Sequence, residues 1–502
     1  MLDQLSYLAS GFDTALSLYH IGLMAAGVLL GILVGVLPGL GAPNGVTLLL
    51  PLTFTMEPVA AIILLSSMYW GALFGGSTTS ILFNIPGEPS SVATTFDGHP
   101  MARKGFAPEA LATAFIAAGF GAMTGVVVVT LIANAIADFA LKFGPPEFFA
   151  VYLLTFCSYL MSGGSPLKTL ASLLIGLILA TVGMDTVSGE MRLTYGSNTL
   201  VSGISFLAAV VGLFGIGELL VTIEEGLKFN GLRARMSWGV VWQAIKKMPK
   251  HGVTLIRSTI VGCWMGITPG GPTAASFMSY GLAKRFSKYR NNFGKGEPDG
   301  VVAPEAADHS AGVSALLPML ALGVPGSATA AVMMGGLMIW GLQPGPMLFI
   351  EQPDFVWGLI SSMYVANIVA VVLVLATIPL FSSILRAPFA VIGPLIIVIC
   401  LIGAYTISGK MSDVYIALVF GVVGYVFKKL DYPIAPLILA MVLGDKTEDA
   451  FRQSMLLADG SLGVFFENGL VGTIMTAALL LLVWGLVGRL FTGRSKQPIA
   501  EQ

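Results

Sequence analysis

Four short glycine and proline interruptions in apolar surroundings are the residues best placed to do chemistry: GVLPGLG at 35–41, NIPGEPSS at 84–91, GITPGG at 266–271 and GVPGSATA at 323–330. Proline lacks an amide donor and glycine accepts unusual backbone angles, so each run is expected to break a helix. An unwound run exposes backbone donors and acceptors, and the helix that starts after it turns its positive end toward an anion. Hydroxyls and an amide surround the breaks. Asn44 and Thr47 follow the first, and Ser77, Thr78, Thr79 and Ser80 precede the second, with Ser90, Ser91, Thr94 and Thr95 after it. Thr273, Ser276 and Ser279 follow the third, Ser327 and Thr329 the fourth. Such groups hydrogen-bond carboxylates or coordinate sodium without a buried protein cation. A plainer use competes for any one of them, because span glycines let helices approach and Ser or Thr bonds the carbonyl four residues back.

The breaks come in two matched pairs. Pro38 aligns with Pro269 and Gly39 with Gly270 at an offset of 231 residues, while Pro86 aligns with Pro325 and Gly87 with Gly326 at 239. Two repeats, each with two interruptions in hydrophobic sequence, point to a secondary transporter whose site lies between the repeats. Acidic residues are weaker candidates. Glu88 and Asp97, and Glu305 and Asp308 with His309, are expected near a membrane interface on solvated faces, and Asp185, Glu190 and Asp445 in loops between spans. Arg103 and Lys104 are expected to anchor a helix end and His99 to serve a turn. Cys157, Cys263 and Cys400 have no CxxC spacing, and the four histidines form no HExxH or paired ligand pattern, which argues against a metalloenzyme.

The elements that position the breaks follow from composition. Of 502 residues, 55% are hydrophobic and 11% charged, and the mean hydropathy is +0.85. Soluble chains carry about 25% charged residues, so this chain reads as a membrane protein. Apolar stretches such as 15–37, 110–136, 356–380 and 470–487 approach or exceed the roughly 20 residues of a span. Length divided by span plus loop gives about ten to twelve crossings, an all-α polytopic fold with broken or re-entrant hairpins. A net charge of -1 offers no field for nucleic acid. MLDQLSYLASGFD has no basic n-region, so the first apolar helix is expected to stay. KFNGLRARMSWGVVWQAIKKMPKHG reads as an amphipathic linker, which divides the chain into 1–220, 221–252 and 253–502. Lys and Arg between 228 and 257, and again in the tail, place the linker and the C-terminus on the cytoplasmic side. A second basic group follows at 284–295, so the stretch 254–280 either enters and returns or crosses, and its glycines and prolines favour a broken hairpin.

Taken in order, GVLPGLGAPNGVTLLLPLTF, YWGALFGGSTTSILFNIPGEPSSVATTFDGHPMARKG, GITPGGPTAASFMSYGLAKRFSK, PEAADHSAGVSALLPMLALGVPGSATAAVMMGG and LGDKTEDAFRQS resemble the large, TctA-type membrane subunit of the tripartite tricarboxylate transporter family. The resemblance implies a bacterial inner-membrane symporter with no cofactor. It implies two partners, a small TctB-type membrane subunit and a periplasmic TctC-type binding protein that delivers citrate or another carboxylate. Sodium or protons would be the coupling ion. No ATPase is implied, and the chain has no Walker A pattern. Helix-end electrostatics and repeat geometry then nominate a substrate site from Gly35, Pro38, Gly39, Gly41, Asn44 and Thr47 with Pro269, Gly270, Gly271, Thr273 and Ser276. The tips Asn84, Pro86, Gly87 and Ser90, and Pro325, Gly326, Ser327 and Thr329, would close over it or supply ion oxygens. An elevator-like slide suits paired broken hairpins. A carboxylate-selective channel, a non-transporting structural subunit and an intramembrane enzyme are the competing readings.

Overall fold

Glycine spacing dictates how the long helices meet. The computed structural model describes residues 2–37, 40–160, 165–185, 188–225, 236–268, 270–384 and 389–491. It is all-α apart from one antiparallel two-stranded pair among the described residues, Gly183–Met184 with Met191–Arg192. Seven described helices are long and apolar enough to cross a membrane, and three shorter apolar helices accompany them. The chain is a multi-pass membrane protein.

In the first repeat, α1 (Leu18–Val36) stops at the first break and α2 (Gly41–Leu49) follows it. The long α3 (Pro58–Phe83) starts with proline at its first turn, where no amide bond is lost. It leads through the second break to α4 (Val92–Met101) and α5 (Ala107–Ala140). The second repeat has α6 (Gly252–Gly266), α7 (Gly271–Phe286), α8 (Asp299–Ser314), α9 (Leu316–Leu322), α10 (Ala328–Ile339) and α11 (Pro353–Ile384). The stretch 254–280 is thus two helices, one ending at Gly266 and the next starting at Gly271, the broken hairpin that its composition favours.

Equivalent contacts recur at the sequence offsets. Gly31 and Gly35 of α1 press on the carbonyls of Met68 and Ala72 in α3, and Gly262 and Gly266 of α6 press on those of Ala307 and Ala311 in α8. A β-carbon at any of the four would meet backbone oxygen, so glycine is what allows this separation. The long helices cross over between repeats, with α5 against α8 and α11 against α3.

Two compact units emerge, residues 1–141 with 204–430, and 142–203 with 431–502. They follow a different partition from the repeats, since each repeat supplies chain to both. In the second unit the run LGDKTEDAFRQS corrects an expectation: it lies inside the helix Ile434–Leu457, not in a loop. Glu448 and Arg452, four residues apart, pair on that helix, so the charges support it. Arg452 also holds the buried Asp185 at 2.8 Å, and Arg192 bonds Glu448 at 2.7 Å. In the first unit the linker expectation meets a short helix at Trp238–Lys247, with Trp238 and Trp242 exposed and Lys246 over the Trp242 ring. The remainder of that basic stretch, 226–235, and the tail 492–502 lie outside the described residues.

Candidate functional site

Within each repeat the two breaks touch. In the first, Gly87 packs on the carbonyl of Gly35 and the α-carbon of Gly76; in the second, Gly326 packs on the carbonyl of Gly266 and the α-carbon of Ala315. Gly270, at φ 76°, donates to the Gly326 carbonyl at 3.0 Å. Both tips turn the same way. Asn84 caps α3 in a left-handed conformation at φ 58°, and Gly323 caps α9 at φ 67°. The amides two residues before each proline-glycine's glycine then reach back, Ile85 to Thr79 at 3.5 Å and Val324 to Pro318 at 3.1 Å.

Chemistry separates the two pairs. The Glu88 carboxylate accepts from the Ala42 amide at 2.5 Å, so an acid of the second break sits on the start of α2. Ser327 stands at the matching place in the second repeat and instead caps its own helix α10, accepting from the Ala330 amide at 3.1 Å.

The nominated residues fall into three groups. Gly35, Gly41, Gly87, Gly270, Gly271, Gly326 and Pro325 form the paired breaks, all buried but for the half-buried Gly270. Thr47 and Ser276 are buried with their hydroxyls on the carbonyls of Pro43 at 2.7 Å and Pro272 at 3.2 Å, the local bond that competes with a ligand role. Asn44, Ser90, Ser327 and Thr329 are buried, Pro86 and Thr273 half-buried, and Asn84 exposed at the tip. Pro38, Gly39 and Pro269 lie outside the described residues.

A buried acidic cluster between the repeats was not foreseen. Glu305, expected on a solvated face, is 1% exposed and accepts from Ser77 at 2.7 Å and Thr94 at 2.6 Å, both from the first repeat. Asp308 is buried beside it, with Ser90 near its carboxyl group. Tyr69 of α3 lies near Ser327. Tyr69 and Asp308 are themselves related by the 239-residue offset, so each repeat brings one polar side chain near the tip hydroxyl of the other. The signal lay in that alignment: Tyr69-Trp70 falls on Asp308-His309, and both Trp70 Nε1 and His309 Nε2 are buried without a hydrogen-bond partner among the described residues.

Asp97 also corrects the solvated expectation. It is fully buried in the middle of α4 and accepts from the amides of Gly294, Gly296 and Glu297 at 2.7–3.0 Å and from the Tyr280 hydroxyl at 2.9 Å. This carboxylate anchors the segment before α8. Burial first, with Asp299 and Asp97 nearby, raises the Glu297 carboxyl above its ordinary range, and a hydrogen bond from Asn292 opposes this. Lys104 donates to the Lys295 carbonyl at 2.5 Å, an anchoring role as expected, and His99 Nδ1 lies 3.0 Å from the Ile81 carbonyl.

The sequence matches the profile of the tripartite tricarboxylate transporter TctA family over residues 21–439. It is similar to an uncharacterized 52.8 kDa protein in the TAR-I ttuC' 3' region of Agrobacterium vitis, 38% identical over 504 aligned residues and covering 100% of both chains. An uncharacterized protein in the TAR-II ttuC' 3' region of the same organism is 34% identical over 227 residues, 45% of this chain and 94% of the relative. No solved structure matches.

Proposed function

This chain belongs to the tripartite tricarboxylate transporter TctA family, and from that premise we propose that it is the subunit through which a tricarboxylate or related organic carboxylate crosses the membrane, driven by sodium or protons. The observation that carries the reading is the bond from the Ala42 amide to the Glu88 carboxylate, because a helix start at a break already holds a carboxylate. The equivalent start of α7, at Gly270–Gly271, meets a tip with Ser327 where the first has Glu88, which makes it the favoured seat for a substrate carboxylate. The tips at 84–90 and 325–329 close the site, and Ser90, Ser327 and Thr329 supply hydroxyls around it. Substrate binding would therefore use backbone and neutral side chains, as suits a site that must release its anion on both sides.

In this reading a small membrane subunit and a periplasmic binding protein complete the transporter, the latter presenting the carboxylate. The location is the bacterial inner membrane, with the basic tail inside. No cofactor takes part. One bundle slides against another so that the broken hairpins carry the site across. The test is labelled-citrate uptake into proteoliposomes holding this chain and its small partner, with the binding protein outside and sodium or proton gradients imposed separately. Accumulation that needs one gradient and the binding protein is expected; flux that never exceeds equilibration would favour a channel.

A further inference from the structure

Four carboxylates gather around α8 and the second break of the first repeat, three buried and Glu88 half-buried. Three have their needs met. Both oxygens of Glu305 accept hydroxyl bonds, Asp97 takes amides and a tyrosine hydroxyl, and Glu88 takes the Ala42 amide. Asp308 differs: it is 2% exposed with Ser90 near its carboxyl group, and its Oδ1 has no hydrogen-bond partner among the described residues. A buried charge with an unsatisfied oxygen is costly unless a cation or a proton meets it.

The surroundings narrow what that cation is. On α8 itself are Glu305 and His309; the histidine Nδ1 rests on the Glu305 carbonyl at 3.2 Å and its ring packs on Phe74. The break brings Glu88, α3 brings Tyr69, and α4 brings Asp97, already fully bonded. Of the other helices packed on α8, α5 carries Glu109, α7 carries Tyr280, bonded to Asp97, and α6 carries Cys263 and Arg257, the latter over the Phe286 ring. Among the described residues no lysine or arginine pairs with Asp308, Glu305 or Glu88, and no three acidic, histidine or cysteine side chains converge to hold a metal ion. The carboxylates do not converge on one centre, so each is placed to be neutralised singly, as by a proton.

We propose that Asp308 is the residue that carries the coupling proton, an inference that rests on the reading of gradient-driven uptake above. A proton from water on the outer side forms an O–H bond at Oδ1, travels with the carboxylate substrate, and returns to water on the inner side, with no other bond made or broken. The tip supplies the route, since exposed Asn84 and Pro89 flank half-buried Glu88 next to buried Ser90. The Ser90 contact ties the titrating group of one repeat to the substrate tip of the other. At the equivalent position of the first repeat stands Tyr69, whose phenol ordinarily keeps its proton to about pH 10, so one repeat titrates and the other does not.

The experiment compares wild type, Asp308→Asn and Asp308→Glu in the same citrate proteoliposomes, with an internal pH dye reporting proton entry. Wild type is expected to accumulate citrate under a pH gradient with sodium absent. Asp308→Asn is expected to keep citrate exchange at equal concentrations but to lose about tenfold in accumulation ratio for each unit of gradient, the worth of one proton. Asp308→Glu is expected to restore accumulation with a displaced pH profile. Asp308→Asn with the wild-type ratio and proton entry overturns the assignment. If Asp308→Asn fails to insert, an unmoved pH profile in Asp308→Glu overturns it too. Uptake driven by sodium alone in wild type removes Asp308 from coupling and leaves the transport reading standing, whereas no gradient-driven uptake of any di- or tricarboxylate overturns both.

Discussion

The two repeats share a backbone and differ in what they hang on it. Gly35 and Gly266 meet the same carbonyl positions, Gly87 and Gly326 seat the same tips, and Asn84 and Gly323 turn the same way. On that common frame the first repeat places Glu88 and Tyr69 where the second places Ser327 and Asp308. The frame repeats because helix packing and broken backbone need glycine at fixed places. Side chains are free to diverge on that frame.

The largest expected effect tests the shared frame. Gly35→Ala and Gly266→Ala each drive a methyl into a backbone carbonyl of the facing helix, where neither helix can give way without losing the rest of the seam. Overpacking of this kind costs about 3 kcal/mol, the upper end of the usual range. Thermal unfolding of the two variants in detergent should show similar losses. A loss confined to one repeat would mean that the seams only look alike.

A second substitution probes a feature of one repeat alone. Asp97 gathers three backbone amides and a phenol, but its counterpart at the 239-residue offset is Gly336, which has no side chain to do so. Asp97→Asn leaves one acceptor oxygen and turns an NH2 group toward amide donors. The expected loss is about 2 kcal/mol, the scale of hydrogen bonds to a charged group, read from the unfolding midpoint and from faster amide exchange at 294–297. Unchanged exchange there would show that the segment before α8 is held by other means.

The breaks were legible in the sequence because proline and glycine act locally: the stop at 266, the restart at 271 and the paired tips follow from residues within a few positions. The acid cluster was not legible, for two physical reasons. Helix α8 reads PEAADHSAG, and its low hydropathy suggests a surface, yet its alanines, glycines and serines let neighbours approach closely enough to bury the acids among them. The partners are also remote, with 211 residues between Thr94 and Glu305 and 228 between Ser77 and Glu305. Periodicity sees neither. LGDKTEDAFRQS misled in the opposite sense, since five charges in a row of twelve suggest a loop until the Glu448 to Arg452 pairing puts them on one helix.

The smallest expected effect decides what Asn84 contributes. As a site residue its amide would touch substrate or ion; as a cap, its backbone angle is what counts, because asparagine tolerates the left-handed region that Gly323 occupies in the other repeat. Asn84→Gly makes the two tips alike and keeps the turn, while Asn84→Ala removes the amide and strains the turn by about 1 kcal/mol. If the backbone governs, citrate uptake in Asn84→Gly stays within about twofold of wild type, since a few tenths of a kcal/mol separate asparagine from glycine there, and Asn84→Ala is the poorer variant. If the amide is a ligand, the two variants lose apparent affinity equally, because both lack it. Concentration dependence for citrate and for the driving ion separates the cases, and equal losses would break the likeness of the tips at the one position where the first repeat keeps a side chain and the second has none.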